Sequence, residues 1–161
     1  MEARGILLLC DPLRGGSRFS QRHSNTKALV FDENERFLSQ AQAALCQRKQ
    51  ECGWVCVAAS GSAVGVALAL AAQLMVDRLA LWMEAAPAAL PRQLKRIESY
   101  ARRNIWLISC EILLIDPSDR DVRRLSRGLG RGSVISCAEG AALVWDELTA
   151  PWKRDLFSAR H

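Results

Sequence analysis

Between residues 54 and 82 the chain shows almost no polar face. The run WVCVAASGSAVGVALALAAQLMVDRLALW begins with a short, β-rich apolar stretch (54–58) and passes through Ala-Ser-Gly-Ser-Ala. It continues as an apolar run to Met75 and ends in a second β-like stretch, Arg78 to Trp82. A helix apolar all round is buried on most sides, and a strand apolar on both faces is covered twice. The pattern predicts strand, tight turn, helix and strand at the heart of a parallel sheet, with Ser60 on the turn.

The flanking segments extend this alternation. Gly5 to Cys10 (GILLLC) predicts a strand stopped by Asp11-Pro12, and residues 13–26 have the Gly, Ser and Asn content of a loop. Ala28 to Phe31 predicts a second strand. Asn34 is placed to cap a helix carrying Phe37, Leu38, Ala41, Ala44 and Leu45 at helical spacing, which Gly53 closes. After a connector over 84–91, Leu94, Ile97, Tyr100 and Ala101 predict an amphipathic helix. Its outer face is basic, with Arg92, Lys95, Arg96, Arg102 and Arg103. Ile105–Leu107 and Ile112–Ile115 read as strands. Ser118 or Asp119 caps a short helix through Val122, Leu125 and Leu129, and Ser133–Cys137 and Glu139–Leu148 read as a last strand and a last helix. Strands alternating with helices give a single domain over 1–161, a three-layer α/β sandwich with a mainly parallel sheet of about six strands.

Composition narrows the class. Half of the 161 residues are hydrophobic, which excludes a disordered chain. The apolar run over 55–76 is broken by Ser60, Gly61, Ser62 and Gly65, so it predicts no membrane span. The opening MEARGILLLCDP is too soon interrupted for a signal peptide. Six cysteines form no CxxC pair, and four of them lie in or beside apolar runs. Buried thiols in a reducing cytoplasm are the expectation, with neither metal nor cofactor.

In order along the chain, these residues resemble an α/β hydrolase, a small and degenerate one without a cap domain. That family carries its serine on a strained strand-to-helix corner, the nucleophile elbow, with small residues two positions to either side. In VAASGSAVGVALALAAQLMVDRLALW, Ser60 takes the nucleophile's place by this resemblance, with Ala58 and Ser62 where glycines are usual. ALVFDEN (28–34) is similar to the strand preceding the helix that leads into the elbow. RRNIWLISCEILLIDPSDRDV (102–122) resembles the strand whose end bears the acid, which puts Asp119 there with Asp116 and Asp121 nearby. SVISCAEGAALVWDE (133–147) resembles the last strand and the loop that holds the family's histidine, and here Ala141 stands in that place. The first strand's loop, often His-Gly in the family for the oxyanion hole, reads Cys10-Asp11-Pro12, with Gly15 and Gly16 shortly after.

A serine hydroxyl is a weak nucleophile until a base takes its proton. In a worked triad, loss of the histidine alone costs about two millionfold in turnover. A substitute base would have to be His161 or His23, since triads are defined by geometry and not by order. Other readings of Ser60-Gly61-Ser62 stand beside the nucleophile. Small residues are required where a strand turns sharply into a closely packed helix, with Ser62 as its N-cap. Such a corner also binds anions, through Gly61 and Ser62.

Three functions follow. The first is a weak or inactive hydrolase-like protein that serves as a binding or assembly module for a small acyl or anionic ligand. The second is a small serine esterase or thioesterase with Ser60 as nucleophile and a non-standard base. The third, suggested by a net charge of +5 and a second arginine group at 120, 123, 124, 127 and 131, is a nucleic-acid-binding protein. Solvated helix faces account for the same arginines. Trp82, Trp106, Trp145 and Trp152 are available for a pocket or a homo-oligomer face, and buried packing accounts for them equally well.

Overall fold

Runs rich in Leu, Ile, Val and Ala on both faces fold here as interior parallel strands. The computed structural model describes residues 4–10, 26–30, 37–73, 76–82 and 92–138. Six strands lie within these: β1 (Arg4–Cys10), β2 (Thr26–Val30), β3 (Trp54–Ser60), β4 (Arg78–Trp82), β5 (Glu111–Ile115) and β6 (Val134–Ala138). They form one sheet in the order β2-β1-β3-β4-β5-β6, and every neighbouring pair is parallel. The parallel α/β architecture expected from the hydrophobic pattern is the one observed. One register line, Ser60–Trp82–Ile115–Ala138, runs along the carboxyl edge of four of the strands.

Among the described residues four helices connect them: α1 (Phe37–Cys52), α2 (Val64–Gln73), α3 (Arg92–Asn104) and α4 (Asp119–Gly128). From β2 onward the helical connections all run toward β6, so right-handed crossovers put all four helices on one face. That face holds the main core. Leu7, Leu9, Val55, Val57, Leu79, Leu81, Ile112 and Leu114 project from the sheet, and Phe37, Leu45, Val66, Leu70, Ala101 and Leu125 come from the helices. The opposite face carries a second buried cluster of Ile6, Leu8, Cys56, Ala58, Ala80, Leu113 and Ile115, to which no described helix contributes. The expected helix over 139–148 lies outside the described residues.

Local chemistry sets the helix ends. Gly53, at φ 74, ends α1 in the left-handed cap that glycine favours, its N–H donating to the Lys49 carbonyl at 2.9 Å. Ser118 caps α4 through a reciprocal box: the Asp121 N–H donates to Ser118 Oγ, and Ser118 N–H and Oγ–H donate to the Asp121 carboxylate. α2 is buried along most of its circumference, as an all-apolar helix must be. The strand expected over 105–107 is instead a 3-10 turn continuing α3, with Trp106 63% and Leu107 43% exposed. Ile105 packs against the core in part, and Ile108 enters it fully. Three apolar residues lack the length that separates a strand from the end of a helix.

The amino edge is tied by charge. Asp77 Oδ2 accepts from the Val55 N–H at 2.8 Å and from Lys49 Nζ at 2.7 Å, so one carboxylate joins β3, the last turn of α1 and the start of β4. Beside it the guanidinium groups of Arg4 and Arg78 lie over the Trp54 ring, 4.6 and 5.0 Å from its centroid.

Candidate functional site

In an open parallel sheet, ligands bind beyond the carboxyl ends of the strands, at the point where the strand order reverses. Here the reversal falls between β1 and β3, since β1 leads outward to β2 and β3 leads the other way to β4. Ser60 is the last residue of β3, on the β3 side of that crevice.

Ser60 itself is extended, with φ −135 and ψ 154, and only 4% exposed. Its side chain makes no capping hydrogen bond to the turn that follows. The left-handed residue is Gly61, at φ 58, which opens a 3-10 turn (Gly61–Ala63) leading into α2. An L side chain there costs about 1–2 kcal/mol, because Cβ crowds the following carbonyl oxygen. The sharp corner therefore falls one residue later than the sequence pattern suggests. Counted from Gly61, the residues two positions to either side are Ala59 and Ala63, both fully buried. Ser62, expected as an N-cap, lies within the 3-10 turn, and Ser60 holds the capping position.

Alternation along β3 gives Ser60 the face of Cys56 and Ala58, away from the helices. Asp119 is elsewhere. It is an exposed first-turn residue of α4 and lines a groove on the helical side together with Gly65 and Leu68 of α2. Among the described residues no hydrogen bond joins Ser60 to Asp119, and their side chains belong to opposite faces of the sheet. The carboxylate at the strand edge is Asp116, directly after β5 and two strands from β3. That is about 10 Å at the usual strand spacing. Asp116 is the one described non-glycine residue with positive φ, at 48, and its N–H donates to the Ala138 carbonyl at 2.9 Å. Aspartate tolerates this region better than most residues. Three aspartates within six positions left the choice open in the sequence, and the Ser118–Asp121 capping box is what assigns the later two to a helix.

His23, His161, Gly15, Gly16 and Ala141 lie outside the described residues. Among the described residues no three His, Cys, Asp or Glu side chains gather closely enough to hold a metal ion. The thiols near the sheet are poor nucleophiles. Burial pushes Cys56 and Cys110 up to about 12, and for Cys56 the neighbouring Arg78 charge only partly opposes this.

No protein-family model matches the chain, and no curated protein matches its sequence. Its likeness to known proteins is one of shape. It is similar to a solved structure from work on LipS and LipT, two metagenome-derived lipolytic enzymes. The TM-score is 0.57 at 12% identity, over 91% of this chain and 90% of that one. It also resembles the N-formylmaleamic acid deformylase Nfo from Pseudomonas putida, with a TM-score of 0.48 at 12% identity over 88% of each chain. A serine hydrolase involved in carbazole degradation gives a TM-score of 0.45 at 10% identity, over 98% of this chain and 89% of that one. Identities this low speak to the fold alone, and the first comparison carries it. The chain has an α/β-hydrolase-like fold. Among the described residues no helix is long and apolar enough to cross a membrane.

Proposed function

We propose that this protein is a degenerate α/β-hydrolase-like module that binds or assembles and does not hydrolyse. One observation carries the reading: the left-handed corner after β3 belongs to Gly61, which has no side chain, while the adjacent hydroxyl of Ser60 is buried on extended backbone. An elbow nucleophile needs its oxygen on the corner itself, raised above the sheet edge toward substrate and base. The Ala141 substitution at the histidine's inherited place agrees with this. Parallel sheets of this kind hold small ligands at such a reversal point, and a small acyl or anionic ligand fits the resemblance.

The competing reading, a small esterase or thioesterase acting through Ser60, draws support from Asp116, an acid held in left-handed backbone at the same edge. Incubation with a fluorophosphonate probe separates the two. The binding reading expects no labelling of the purified protein. Robust labelling that disappears in Ser60→Ala overturns it in favour of the esterase.

A further inference from the structure

The two arginine-rich segments that are separate in sequence meet in the fold. A groove of about 810 Å³ opens on the helical face between α2, α3 and α4, running along α4 from Asp119 to Gly128. Ten residues of α4 give it a length of about 15 Å, close to three turns of a partner helix. Its floor is apolar and small: Gly65 and Leu68 from α2, Ala101 from α3, and Ile105 from the 3-10 turn. On one rim stands Arg102; on the other stand Arg120, Arg123, Arg124 and Arg127. These four follow the i, i+3, i+4, i+7 rhythm that sets side chains along one helical stripe, and all are solvent-exposed. Among the described residues Glu98 and Asp119 are the only acids lining the groove, and Glu98 is paired with Arg102. The two residues after Ile105 in the chain, Trp106 and Leu107, are apolar side chains, 63% and 43% exposed.

We propose that this groove docks an acidic, amphipathic helical segment of a partner protein. The apolar floor would receive the partner's apolar stripe, and the arginine rim its carboxylates, several of them as bidentate pairs. The apolar floor also separates this occupant from duplex nucleic acid. A duplex phosphate backbone offers little apolar surface to lay on Leu68, Ala101 and Ile105, and its unbroken charge meets Asp119 as a like charge; a single strand, whose bases can stack there, is the competitor the test includes. A peptide can set a neutral or basic residue opposite Asp119. This inference deepens the binding reading and rests on it.

The test uses the full chain and fluorescence anisotropy with a labelled helical peptide of roughly 20 residues, long enough to hold a helix in part, carrying leucine at a and d positions and glutamate elsewhere. Saturable binding is expected. It should weaken about tenfold or more when lysine replaces the peptide's glutamates, when serine replaces its leucines, and when the protein carries Arg123→Glu with Arg127→Glu. Thermal unfolding of that exposed double variant should match the parent, and the two altered peptides test the same points with the protein unchanged. Absence of binding, equal binding of the lysine or serine peptide, or tighter binding of a single-stranded oligonucleotide of similar length at physiological salt would each overturn the proposal. Fluorophosphonate labelling would remove the non-catalytic reading without touching the anisotropy result, so the two can fail separately.

Discussion

Ser60 and Gly61 are consecutive, yet Ser60 closes a strand and Gly61 turns the corner after it. One supplies an oxygen on extended backbone, the other a left-handed φ of 58 with no side chain. A nucleophile elbow asks for both in a single residue. Here they are divided, and the proposed loss of catalysis rests on that division. Gly61→Ala should therefore lower stability by about 1–2 kcal/mol, because alanine must be held where its Cβ is crowded. Ser60→Ala should change it far less. Urea unfolding of both variants checks this, and an innocuous Gly61→Ala would mean the corner is not left-handed.

Arg78 is 2% exposed and donates twice to Glu111 Oε2, from Nε at 3.0 Å and from Nη2 at 2.8 Å. Burial lowers the guanidinium's pKa, and the Glu111 hydrogen bond and charge oppose that. Removing the carboxylate leaves a buried cation with less to satisfy it. Because Glu111 is 43% exposed, water compensates in part, so Glu111→Ala should cost about 1–3 kcal/mol and not the larger penalty of a fully enclosed pair. Arg78→Met combined with Glu111→Ala should recover part of the loss in a double-mutant cycle.

The buried thiols make stability depend on alkaline pH. Cys56 and Cys110 are raised to about 12, whereas an unfolded cysteine ionises near about 8.5. Above that lower value the unfolded chain sheds protons that the folded one keeps, so stability is whole below it and falls as the pH climbs toward about 12. Unfolding midpoints measured across that range should decline steadily. Under native conditions at neutral pH, iodoacetamide should modify exposed Cys46 and spare Cys56 and Cys110, which react only after unfolding.

Helix α4 carries most of the groove's arginines and depends on its first turn. Ser118→Ala removes the acceptor for the Asp121 N–H and should cost about 1 kcal/mol. If the groove binds as inferred, the same variant should loosen the peptide modestly. Circular dichroism melting and anisotropy read the two effects.

Most of the sheet was legible because its strands are apolar runs bounded by sharp breaks. Arg78 to Trp82 was read to the residue, and β1, β3, β5 and β6 to within one or two. The corner was not. Every residue from Ala58 to Ala63 is small, so a pattern of small residues two positions to either side fits both Ser60 and Gly61, and only the backbone angle separates them. The choice among the acids stayed open for a related reason: Asp116, Asp119 and Asp121 are chemically alike, and the capping box that holds Asp121 is a three-dimensional fact. Residues 105–107 were misread because an apolar triplet after an amphipathic helix has no period of its own. The basic groove was visible only as two segments, since their adjacency comes from successive right-handed crossovers.

The place of β1 in the sheet has a consequence for assembly. It is flanked on both sides, by β2 and by β3, and its second neighbour is encoded some fifty residues downstream. A nascent chain must carry this oily strand half-paired until Trp54–Ser60 has left the ribosome, a long interval in which exposed amide groups invite wrong partners. Excising β1 from the finished molecule would not trim an edge: it would part β2 from the other four strands and split the sheet in two.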